Sequence, residues 1–148
     1  MTVVAVIDTN IWVSAFLNPR GYPARLVEAG KAGQLAVVSS PPMLEELMNV
    51  LCRPRIMKIR LTTVDDAETF VRGVAAVAQL VSVTGNLQLC RDPDDDIVLE
   101  TAIVGGAAYV VSRDEDITRD LTLTRQLVAR GIEPITVNHL LKLVAAGT

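Results

Sequence analysis

The 148-residue chain is short enough for one domain around a single core, and with half its residues apolar, 21% charged and a mean hydropathy of +0.37 it does not read as a disordered segment. Fourteen basic against seventeen acidic residues leave a formal net charge of -3, so a polyanionic partner must meet a local basic patch and not a global field. No apolar run approaches the roughly 20 residues of a membrane-spanning helix, and Met1-Thr2-Val3-Val4-Ala5-Val6-Ile7-Asp8 has no basic leader and stops at an acid, so a cytoplasmic location is expected.

In chain order, residues 3–7 form a short continuous apolar run rich in β-branched residues, the pattern of a strand buried on both faces of a parallel sheet. Residues 11–17 carry a first helix. A second runs from Pro23 through residues 24–32, with Pro near its start and Gly33 near its stop. A strand over residues 35–39 leads into Ser40-Pro41-Pro42, which opens a helix reaching about Cys52 and ending before Pro54. Arg53-Pro54-Arg55-Ile56-Met57-Lys58-Ile59-Arg60 then concentrates four cations in eight residues at a helix junction. Thr63 with Asp66 forms a capping pair for a helix over residues 64–78, followed by a strand over residues 80–83. A further helix begins within residues 94–96 and is closed by Gly105-Gly106. A strand over 109–112, a helix over 121–129, a strand over 135–137 and a helix over 138–144 complete the chain. Five strands alternating with helices predict an α/β fold, a three-layer α/β/α domain spanning residues 1–148 with a central five-stranded parallel sheet.

Ligands of open parallel sheets gather at the carboxyl ends of strands, where strand order reverses. Asp8 follows the first strand, and Asp114 follows the fourth within Ser112-Arg113-Asp114-Glu115-Asp116. Asp92-Pro93-Asp94-Asp95-Asp96 opens a helix, where the macrodipole favours negative charge. Glu45-Glu46 lies early in the helix after the second strand. Taken singly, each has an ordinary structural role as a cap, a dipole-matched first turn or an exposed loop. Taken together they bring acids from four segments to one edge with almost no cation between them. Two carboxylates about 4 Å apart repel by roughly 4 kcal/mol at an effective dielectric of 20, so the cluster calls for protonation or a divalent cation. All-oxygen donors select Mg²⁺ or Mn²⁺, and phosphoryl chemistry is the natural use of such a site.

Other chemistries are disfavoured. Cys52 and Cys90 lack zinc spacing and read as reduced, buried structural thiols. His139, the single histidine, makes Ser-His or Cys-His catalysis unattractive. The five aromatics (Trp12, Phe16, Tyr22, Phe70, Tyr109) are too few for a base-stacking row, and Trp12 with Phe16 reads as core.

The Asp8-Thr9-Asn10-Ile11-Trp12 opening, Leu44-Glu45-Glu46-Leu47 with Leu51-Cys52-Arg53-Pro54, Asp92-Pro93-Asp94-Asp95-Asp96 and Ser112-Arg113-Asp114 together resemble a PIN domain over nearly the whole chain. More narrowly, the chain is similar to stand-alone bacterial PIN proteins classed as toxin components of toxin-antitoxin systems, relatives of the VapC-like toxins. The resemblance implies a metal-dependent endoribonuclease with Asp8, Glu46, Asp95 and Asp114 as its catalytic acids and Mg²⁺ or Mn²⁺ ligands. Asp92, Asp96 and Asp116 join them as accessory ligands, and Asp96 stands where the family more often has asparagine. Thr9, Asn10 and Ser112 would orient the carboxylates. Arg53, Arg55, Lys58, Arg60 and Arg113 would contact the RNA backbone. Metal-activated water would hydrolyse the phosphodiester, leaving 5′-phosphate and 3′-hydroxyl ends. An antitoxin protein and a homodimer are the implied partners. Two alternatives stand beside this: a catalytically silent PIN-like module that binds RNA or protein, and another Mg²⁺-dependent α/β phosphoryl-transfer protein. A dehalogenase-like variant of the latter is weakened because Asp8-Thr9-Asn10 lacks a second Asp two positions on.

Overall fold

The computed structural model describes residues 2–147 other than residue 120, with all their side chains except those of Asp114 and Thr118. Its elements are β1 (Val3–Ile7), α1 (Thr9–Leu17), α2 (Tyr22–Lys31), β2 (Leu35–Ser39), α3 (Pro41–Leu51), α4 (Pro54–Arg60), α5 (Val64–Val77), β3 (Gln79–Leu80), α6 (Pro93–Val104), β4 (Tyr109–Val111), α7 (Asp114–Arg119), α8 (Leu121–Ala129), β5 (Glu133–Ile135) and α9 (Val137–Ala146). The strands form one sheet in the order β3-β2-β1-β4-β5, with every neighbouring pair parallel. This is the five-stranded three-layer α/β/α arrangement expected from the sequence.

The alternation of β1 divides the core. Ala5 and Ile7 point into a cluster with α1, α2, α3, α5 and α9, where Trp12 is 3% exposed. Val6 faces the other way, onto Val98, Leu99 and Ala102 of α6 and Leu127 of α8. Helix α6 lies close against β2 through Gly105, where an added Cβ would sit 2.3 Å from Val38 Cγ1. The predicted capping box holds α5: the Asp66 amide donates to Thr63 Oγ1 (3.1 Å), and the Thr63 amide donates to Asp66 Oδ2 (2.8 Å).

Several boundaries differ from those expected. Helix α1 begins at Thr9, β3 covers only Gln79–Leu80, and residues 81–92 contain neither helix nor strand. The cationic stretch is itself a helix, α4, with Pro54 in its first turn and left-handed Leu61 (φ 53°) as its stop. The acidic stretch after β4 is not a loop but the start of α7. Strand β5 ends at Ile135, because the Thr136 hydroxyl already caps α9 by accepting the His139 amide (3.4 Å). Cys52 and Cys90 are half-buried thiols instead of fully buried ones. The apolar end of the chain packs inward through Leu140 and Val144. Among the described residues, no helix is long and apolar enough to cross a membrane.

Candidate active site

The order β3-β2-β1-β4-β5 reverses the direction of chain progression between β1 and β4. A crevice of about 240 Å³ opens beyond the carboxyl ends of these two strands, the position the topology favours for a ligand. Asp8 leaves β1 with its amide bonded to the Val111 carbonyl of β4 (2.9 Å), so the two strands themselves place it in the floor. From α3, Glu46 enters the same crevice while Glu45 stays exposed on the outer face. Asp92, Asp94 and Asp95 arrive from the start of α6, and Asp116 arrives from α7. Asp92 is the N-cap of α6, its Oδ1 accepting the Asp94 amide at 2.9 Å. Asp114 opens α7 directly beyond β4, but its side chain lies outside the described residues, so its predicted role as a ligand is not located.

Two of the three predicted orienting residues have carboxylate partners. Buried Thr9 donates from Oγ1 to Glu46 Oε2 (3.2 Å), and Asn10 donates from Nδ2 to Asp116 Oδ2 (3.2 Å). Buried Ser112 lines the crevice.

Asp96 is the predicted ligand that the fold takes elsewhere. One position along a helix turns a side chain by about 100°, and this carries Asp96 to the opposite side of α6 from the crevice. There its Oδ1 accepts the amides of Leu89 (2.9 Å) and Cys90 (2.7 Å). Asp95, not Asp96, faces the crevice. The sequence reading missed Asp94, which the crevice also contains, and it expected fewer cations than the fold supplies. Arg119 lines the rim, and Arg113 grips Asp116 from Nε (2.9 Å) and Nη2 (3.2 Å). Arg113 is therefore committed to an acid, with Glu115 3.6 Å away as well. Arg60 is likewise engaged, donating to the Phe16 carbonyl at 2.6 Å. Arg53, Arg55 and Lys58 are exposed along α4 and its cap, and Arg53 is near enough to Glu46 to favour its charged form.

The electrostatics are those of an undercompensated acidic pocket. Burial, reinforced by the charges of Asp116 and Glu46, pushes Asp8 from the ordinary 3.8 up to about 6. Burial and the charge of Asp94 also raise Glu46, against the Thr9 hydroxyl. Asp116 is held below the usual carboxylate range by the Arg113 guanidinium. Among the described residues, no three carboxylate, thiol or imidazole groups are already drawn together tightly enough to enclose one ion. The donor set nevertheless fits a hard divalent cation: it is all oxygen, and the raised Asp8 and Glu46 are the groups whose mutual repulsion a cation would relieve.

Comparison with known proteins agrees with this geometry. The chain is 25% identical over 115 residues to the uncharacterized protein MJ1680 of Methanocaldococcus jannaschii, an alignment covering 78% of this chain and 73% of that one. The PIN domain profile matches residues 4–116, from within β1 to Asp116 at the crevice. PIN domains are in general nucleases, and the match takes in every acid that lines the crevice: the chain belongs to the PIN domain family.

Proposed function

We propose that the protein is a metal-dependent endoribonuclease whose centre is built on Asp8, Glu46 and Asp95, with Asp92, Asp94 and Asp116 around them and Asp114 supplied by α7. The observation that carries this reading is Asp8: a carboxylate at the switch point of the sheet whose proton affinity burial and two neighbouring acids raise to about 6. A site made this unfavourable for anions when empty is suited to hold a cation and, through it, a phosphate.

A bound Mg²⁺ or Mn²⁺ would polarise the scissile phosphate and lower the pKa of an attacking water. The chain's own groups do the rest. Thr9 fixes the Glu46 carboxylate through its hydroxyl, and Asn10 with Arg113 fixes Asp116. Asp8, which in the metal-free protein holds its proton up to about pH 6, must give it up to serve as a ligand, so metal affinity should rise with pH through this range. Arg53, Arg55 and Lys58 lie on the exposed side of the helix that follows α3, where they can neutralise backbone phosphates without reading sequence.

The toxin role and its antitoxin partner rest on the motif resemblance. They are tested by whether expression of the parent, but not of Asp8→Asn, arrests growth. The silent-module reading has one observation in its favour, the tie of Asp116 to Arg113 and Asn10. Cleavage of a labelled RNA in Mn²⁺ separates the two. The nuclease reading expects Mn²⁺-dependent cleavage by the parent and a loss of about 100-fold or more in Asp8→Asn, the scale of removing one preorganised electrostatic group. Equal rates for parent and variant would refute it.

A further inference from the structure

The connection from β3 to α6 carries no regular structure, yet it is fastened to α6 at two points one helical turn apart. At the first, Asp96 Oδ1 accepts the Leu89 and Cys90 amides, and the Cys90 thiol adds a further bond to the same carboxylate. At the second, Glu100 accepts the Thr84 amide (2.7 Å), the Thr84 hydroxyl (3.0 Å) and the Gly85 amide (3.1 Å). Both acids are buried, Asp96 6% and Glu100 9% exposed, and neither has a salt-bridge partner among the described residues. A buried carboxylate without a cation is costly unless hydrogen bonds replace its water, so each is kept for the backbone it holds.

The two clamps hold different things. The amides bound by Asp96 lie immediately upstream of Asp92, the N-cap of α6, and this cap and the turn it starts carry Asp92, Asp94 and Asp95 into the crevice. The Asp96 clamp fixes the angle at which the chain enters the helix, and with it the placement of that first turn. Glu100 holds residues 84 and 85, further back along the connection.

Building on the metal-dependent reading above, we propose that Asp96 is a positioning residue: from the far side of α6 it sets the placement of Asp92, Asp94 and Asp95, and so the affinity of the crevice for a divalent cation. Removing a partner that orients metal ligands typically weakens metal binding about 10- to 100-fold.

The test is Mn²⁺ titration of the metal-free protein, with free Mn²⁺ read by electron paramagnetic resonance and thermal melts run alongside. Asp96→Ala should weaken Mn²⁺ binding by about 10- to 100-fold. Asp96→Asn, whose amide oxygen can accept the same two N–H groups, should stay near the parent. Glu100→Ala should lose thermal stability while keeping its Mn²⁺ affinity. Asp96→Glu keeps the charge but moves the acceptor by one methylene; it should also weaken binding, and it serves if Asp96→Ala fails to fold. Equal weakening in Asp96→Asn and Asp96→Ala with none in Asp96→Glu would reduce Asp96 to a distant charge and overturn the proposal. So would an Asp96→Ala affinity no lower than that of Glu100→Ala. A parent that binds Mn²⁺ in those last two cases leaves the metal reading standing, whereas a parent that binds none overturns both.

Discussion

Replacing Asp8 with asparagine should stabilise the metal-free protein at neutral pH, although it removes a group proposed to be essential. The folded state holds the Asp8 proton up to about pH 6, whereas the unfolded chain releases it near 3.8. Between those values the native state binds more protons than the unfolded one, so the contribution of Asp8 to stability is full below pH 3.8 and is lost as pH rises through 6. The difference amounts to about 3 kcal/mol at 1.36 kcal/mol per unit. Asparagine is nearly the same shape and never acquires the charge. Asp8→Asn should therefore match the parent near pH 3 and exceed it by up to about 3 kcal/mol above pH 7, a shift of about 1–3 M in the urea midpoint. Trp12, the single tryptophan and buried in the core beside β1, reports unfolding by fluorescence. Mn²⁺ should raise the midpoint of the parent at pH 7.5 and leave that of the variant almost unmoved. A variant less stable than the parent at pH 7.5, or a difference that does not grow with pH, would refute the reasoning.

The Glu100 clamp predicts the opposite pH slope. Hydrogen bonds from the Thr84 amide and hydroxyl and from the Gly85 amide hold Glu100 below its ordinary 4.5, so the stability it contributes is present above that value and lost as pH falls through its folded range. Urea curves of Glu100→Gln should lie about 1–3 kcal/mol below the parent at pH 7 and converge with it in acid. Gly105→Ala places a methyl against Val38, a stiff side chain with no exposed surface, and should cost about 1–3 kcal/mol by overpacking. A thermal melt unchanged by this substitution would mean that α6 can shift away from β2.

The sheet was legible because β1, β2 and β4 are buried on both faces and therefore read as short, mostly apolar runs rich in valine and isoleucine. Helix α4 was not, since it buries only Ile56 and leaves no apolar period to detect. Its neighbours Ile59 and Leu61 are exposed, Leu61 by 87%. The gathering of acids at one edge followed from topology alone, and Asp8, Glu46, Asp92, Asp95 and Asp116 do line one crevice. The direction of each acid around α6 did not follow, because Asp94, Asp95 and Asp96 differ only in which side of the helix meets the sheet. One signal in the sequence bears on it. Asp96 and Glu100 stand four apart with Val98 and Leu99 between them, the spacing of two acids on a single face directed at something other than the crevice.

Strand β4 inserts beside β1 on the side away from β2, so the wall that faces Asp8 comes from a remote part of the sequence, and the bond from Asn10 to Asp116 spans 106 positions. The two halves of the crevice therefore exist as one only once β4 has paired with β1, and any loosening of that pairing separates the acids before it exposes the core.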